Sequence, residues 1–81
     1  MRGHRVELLG GPWDGDWVSV PERLEYVYAP MGLALACLNA MLEPPPMEYL
    51  DDGNRVGVYR VGVYSDGGHY SDGLAMWQGE L

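Results

Sequence analysis

Apolar and polar residues alternate in short bursts along this chain, and glycine or proline cuts off every burst. Alternation with a period of two is the signature of a strand with one face buried, and the punctuation keeps each strand short. In "HRVELLGG" (4–11), Val6 and Leu8 share one face while Arg5 and Glu7 share the other. "GGPWDGDW" follows, and its Asp14-Gly15 pair suits the positive φ angles of a tight hairpin turn. "DWVSV" (16–20) then returns as a second strand, stopped by Pro21, and "LEYVY" (24–28) makes a third.

The five-residue word in "RVGVYRVGVY" (55–64) is written twice, which raises the question of a repeat. A period of five is incommensurate with the two-residue period of a strand. Tyr59 shares a face with Val61 and Val63, whereas Tyr64 shares one with Val56, Val58 and Arg60. The two copies cannot present one surface twice. The stretch therefore reads as a single long strand, with Gly57 and Gly62 marking bends, bulges or close backbone approaches on opposite faces. "SDGGHYSDG" (65–73) is turn chemistry. A loop running through Gly73 lets "LAMWQ" (74–78) pair back on the doubled strand without burying Asp72 beside valine.

Only residues 31–42, "MGLALACLNAML", have helical composition. Pro30 is suited to open that element and "EPPP" (43–46) to end it. The run is apolar all round except for Asn39, so such a helix needs cover on most sides. "MEYLDDGN" then reads as a surface connection. These elements predict a mainly β single domain over residues 1–81. Its architecture is a small five-stranded barrel or strongly bent antiparallel sheet, with one short apolar helix at about 30–43 closing one end.

Charge bears on partners, although negative charge also serves simply to keep a small protein in solution, and alone it decides nothing. Twelve acidic residues stand against five arginines and no lysine, a net charge of −7. Such a surface repels a phosphate backbone, so direct nucleic-acid binding is not expected, whereas a protein with a basic surface would be attracted. Residues 43–81 carry seven of the acids. The apolar run 31–42 is too short to span a bilayer, "MRGHRVELLG" has no leader pattern, and the single cysteine, Cys37, suits a reducing cytosol. Cys37 reads as a small, inert core residue, and His4 and His69 as ordinary surface histidines.

Asp-rich "DGD" (14–16), "DDGN" (51–54) and "SDGGHYSDG" lack the alternating ligands and closing glutamate of a calcium loop, and nothing has zinc-ligand spacing. No phosphate-binding glycine loop or nucleophile elbow occurs, so neither catalytic residues, metal nor cofactor are assigned. Three tryptophans and six tyrosines, with no phenylalanine, favour a protein interface. Trp13 and Trp17 flank the Asp14-Gly15 turn; the alternative is that Trp17 caps the core and Trp13 packs over the turn. The candidate partner-binding residues are Trp13, Asp14, Asp16, Asp51, Asp52, Asp66, Tyr70 and Asp72.

"VELLGGPWDGDWVSVP", with "YVYAP" just after it and a late tyrosine-rich strand, resembles small uncharacterised proteins of phages and their high-GC bacterial hosts. Those proteins open on a hydrophobic strand, a GGP-x-DG turn, a second strand and a proline. The likeness covers residues 6–30 and, loosely, the C-terminal strands; residues 31–46 stand outside it. It implies a setting, a phage or prophage accessory protein in the host cytoplasm, and supplies no catalytic residues. Setting and charge together lead to the expectation of a non-catalytic inhibitor that binds a host nucleic-acid-binding complex, with carboxylates in place of phosphates as in anti-CRISPR proteins. The alternative is a structural virion accessory or homo-oligomer associating through residues 31–42, and a small enzyme or metal-binding protein comes after both.

Overall fold

The computed structural model describes residues 3–21, 24–62, 65–66, 69–70 and 73–81, with 65–66 and 69–70 described by their backbone. The expected mainly β architecture is present, as a five-stranded sheet curled into a half-barrel. Its strands are β1 (Gly3–Leu9), β2 (Trp17–Pro21), β3 (Tyr26–Pro30), β4 (Val56–Gly62) and, last in the chain, β7 (Gly73–Glu80). They lie in the order β2-β1-β7-β4-β3. Between β4 and β7 a short ladder joins β5 (Ser65–Asp66) to β6 (His69–Tyr70), so the segment expected to be loop carries its own strand pair.

The sheet is not wholly antiparallel. β7 enters between β1 and β4 and runs parallel to β1, pairing Val6 with Gly73 and Leu9 with Met76. The main core draws on one face of each strand. Val6 and Leu8 point inward from β1, Val18 and Val20 from β2, Val27 and Ala29 from β3, Tyr59 and Val61 from β4, and Ala75 from β7. Alternation grouped Val6 and Leu8 on one face of β1, as found, and the doubled word is one two-faced strand as far as Gly62. Val63 and Tyr64 lie outside the described residues. In β7 the register shifts between Tyr59–Trp77 and Val58–Gly79, leaving Gln78 as an extra residue, and this bulge sharpens the local twist.

The segment expected as a helix over 31–42 folds differently. Pro30 ends β3 instead of opening a helix. Helix α1 is a single turn, Ala36–Asn39, entered through Leu35 at φ 59°. Met41 then hydrogen-bonds both ways with Tyr28 along the outer edge of β3, at 2.8 and 2.9 Å. A helix apolar on all sides would have needed cover that a domain this small cannot supply. The backbone is satisfied by a strand edge instead, and only Ala36 is buried from α1. Asn39, the polar exception, donates from its side-chain amide to the carbonyls of Ala34 and Leu35. α1 lies against both β2 and β3, the two edges of the sheet, and so covers the opening of the half-barrel.

A second short helix, α2 (Met47–Asp51), stands where a surface connection was expected. Its start follows Pro46, Glu48 lies in its first turn, and the Asn54 side chain closes it by donating to the Tyr49 carbonyl at 2.9 Å. No helix among the described residues is long and apolar enough to cross a membrane.

Candidate functional site

The topology sorts the loops into two groups. β1 and β7 run parallel, so Gly10 and Glu80 leave the sheet at the same end. Antiparallel pairing brings Trp17, Val56 and Pro30 to that end too. The turn 10–16, the segment 31–55 with both helices, and Glu80 therefore gather at one end of the half-barrel. β5 and β6 extend from the other.

The turn 10–16 is held by Trp13. Gly10 and Gly11 take φ of 81° and 66°, which a side chain would resist, and Gly15 takes 88°; Asp14 does not share the positive φ expected of a two-residue hairpin turn. Asp14 instead accepts the Gly10 N–H through Oδ1 at 2.6 Å, while Gly15 N–H donates to the Leu8 carbonyl at 2.8 Å. This wider loop folds Trp13 into the core, where it is 2% exposed. Its backbone N–H donates to the Tyr59 hydroxyl at 3.0 Å, and that hydroxyl donates to the Gly10 carbonyl at 2.8 Å. The Trp13 ring lies nearly parallel to Tyr59 with centroids 6.4 Å apart, and its indole N–H donates to the Leu33 carbonyl at 2.8 Å.

Trp13 is thus a core residue and does not stand at the surface. Its work is to fasten the Asp14–Asp16 turn to β4 on one side and to residue 33 on the other. Burial pushes the Tyr59 phenol above its ordinary value, the Trp13 amide pulls it down, and the charges of Asp14 and Asp16 push it up again. The phenol stays protonated at neutral pH and keeps both bonds.

Seven carboxylates stand exposed at this end: Asp14, Asp16, Glu43, Glu48, Asp51, Asp52 and Glu80. Arg55, paired with Glu80, is the one cation on the same loops among the described residues. Four sequence-predicted site residues, Asp14, Asp16, Asp51 and Asp52, therefore lie on loops that leave the sheet at the same end. Asp66 and Tyr70 lie in β5 and β6 at the opposite end, and Asp72 lies outside the described residues.

The apolar run 31–42, expected as a covered helix or as a surface for self-association, adjoins this end. Leu33, Leu35, Leu38 and Leu42 are exposed, as is Cys37, contrary to its expected core position. Their signal was present in the absence of any polar face over 31–42. Trp17 is the exposed tryptophan, lying on the outer sheet face with the Arg5 guanidinium 5.3 Å from its ring centroid. The same face carries a shallow groove of about 290 Å³ lined by Arg60, Val61, Gly62, Leu74, Met76 and Gln78. Among the described residues its lining holds no carboxylate, thiol or imidazole.

Among the described residues no three His, Cys, Asp or Glu side chains converge as a metal site. No family model, curated protein or solved structure matches the chain.

Proposed function

We propose that this protein is a non-catalytic binding module whose acidic end engages a basic surface on a host protein. The supporting observation is the gathering of seven exposed carboxylates against one arginine on loops from three parts of the chain. At that density the negative potential attracts a cationic partner, speeds its encounter and repels nucleic acid directly. The phage-like opening of the sequence supports a setting in the host cytoplasm and an inhibitory role, with carboxylates occupying phosphate sites of a nucleic-acid-binding complex. Binding, not turnover, is the activity.

The test uses tagged protein to capture a partner from host lysate, followed by binding kinetics with the purified partner. Asp14→Asn, Asp16→Asn, Asp51→Asn and Asp52→Asn combined should slow association several-fold, and added salt should do the same to the wild type. A four-Asn variant that associates at the wild-type rate with unchanged salt dependence would overturn the reading.

The exposed leucines of 33–42 favour a second reading, self-association as a structural or virion component. Sedimentation velocity separates the two: a dimer dispersed by Leu38→Glu supports the second, and a monomer at all concentrations supports the first.

A further inference from the structure

The exposed leucines adjoin the acidic loops along the chain and through one hydrogen bond. Leu33 is tied by its carbonyl to Trp13, one residue from Asp14, and Leu42 runs directly into Glu43 and on to α2 with Glu48, Asp51 and Asp52. Within that frame Leu33 is 49% exposed, Leu35 62%, Leu38 76% and Leu42 39%. Exposure on this scale at four leucines within ten residues exceeds the scattered apolar exposure of ordinary surfaces. The backbone is committed to it. Leu35 sits at φ 59°, a conformation that disfavours leucine by about 1–2 kcal/mol relative to the right-handed region.

The rim determines what can cover the patch. A second copy of this chain would bring seven carboxylates against seven more, and like charges desolvated at an interface oppose association. A neutral apolar segment would bury the leucines and leave the rim unanswered. From this charge complementarity, and resting on the function proposed above, we infer that the partner's binding element is a cationic amphipathic segment. Its leucine-like side chains seat on Leu33, Leu35, Leu38 and Leu42, and its flanking lysines or arginines meet Asp14, Asp16, Glu43, Glu48, Asp51 and Asp52. Apolar anchoring sets the dissociation rate and charge sets the association rate. Recognition of this kind selects one amphipathic element over the many basic surfaces that charge alone would accept.

The experiment titrates the full chain calorimetrically with two synthetic lysine-rich peptides of equal charge, one with leucines at i, i+3, i+4 and i+7 so that they line one helix face and one with every leucine replaced by serine. The amphipathic peptide should bind at least about tenfold more tightly. Leu35→Asn with Leu38→Ser should erase that advantage while leaving the weak, salt-sensitive binding of the serine peptide unchanged. Both side chains are exposed, and asparagine tolerates the Leu35 backbone better than leucine does, so the variant should fold; Leu38→Ser alone serves as a second variant. Equal affinity for the two peptides overturns the inference and leaves the acidic-surface function standing. Failure of both peptides to bind at low salt overturns that function as well. A wild-type dimer dispersed by the leucine variant also overturns the inference, by showing that a second copy occupies the patch.

Discussion

The indole of Trp77 occupies the space that a side chain at Gly57 would need. A Cβ built on Gly57 would lie far inside van der Waals contact distance of two Trp77 ring carbons, and one built on Gly11 would meet two other carbons of the same ring system as closely. Trp77 in turn meets Tyr59 edge-on, with centroids 5.2 Å apart. Gly62, the equivalent letter in the second copy of the doubled word, has the Leu74 carbonyl oxygen as its nearest neighbour, at 3.6 Å, and is exposed. Gly57→Val should therefore destabilise the protein by about 1–3 kcal/mol or more through overpacking. Gly62→Val should be neutral or stabilise by up to about 1 kcal/mol through β propensity. Urea denaturation of the two variants checks this, and equal effects would contradict the packing.

Tyr59→Phe removes one atom and two hydrogen bonds. The Trp13 amide loses its acceptor and the Gly10 carbonyl its donor, both close to the core. The expected cost is about 1–3 kcal/mol by chemical denaturation. The variant should also change the alkaline limb of stability. The folded-state pKa of Tyr59 is raised above its ordinary value, so the folded state holds the proton more tightly than the unfolded chain. Its contribution is fully present below about pH 10 and is lost as pH rises through the folded pKa. The gap between wild type and Tyr59→Phe should be constant from neutral pH to about 10 and narrow above it.

Most of the sheet was legible because alternation is a local signal. Val6 and Leu8, or Val18 and Val20, declare their face within a few residues. The parallel β1–β7 pair was not legible, because Leu8 and Ala75 meet only through the order in which distant strands assemble. Nor was the fate of 31–42. Composition favoured a helix, but the free edge of β3 at Tyr28 and the Trp13 indole competed for its backbone groups and won. The same competition decided the tryptophans: Trp13 and Trp17 flank one turn, and only the turn's width determines which of them reaches the core. The placement of the candidate carboxylates has a simpler reason. Asp14, Asp16, Asp51 and Asp52 are exposed wherever their loops lie, whereas Asp66 and Tyr70 were separated from them by strand direction.

His4 lies on the core face of β1 opposite Val20, and both of its ring nitrogens are buried without a hydrogen-bond partner among the described residues. A buried imidazole N–H without an acceptor carries a desolvation cost that an apolar side chain of similar size avoids. His4→Leu should raise stability by roughly 1 kcal/mol. Thermal unfolding at neutral pH provides the measurement. A loss of stability on replacement would mean that the imidazole makes a favourable interaction in the folded state.

The two-ended layout makes the electrostatic prediction specific to position. Asp51→Asn with Asp52→Asn removes two charges from the acidic end, on α2 and its cap, with almost no change in shape. Asp66→Asn removes one charge from β5, at the far end of the sheet. Charges beyond about 10 Å are largely screened at physiological ionic strength, so the distant carboxylate should steer a partner far less than the near ones. For a cationic partner docking on the leucine patch, the α2 pair should slow association several-fold and flatten its salt dependence, with the dissociation rate little changed. Asp66→Asn should leave both rates close to wild type, as expected of a screened charge. Stopped-flow or surface kinetics with the captured partner at two salt concentrations measures all three quantities. If Asp66→Asn slows association as much as the α2 pair does, the partner covers the β5–β6 end and the acidic loops around Leu33–Leu42 are not the docking surface.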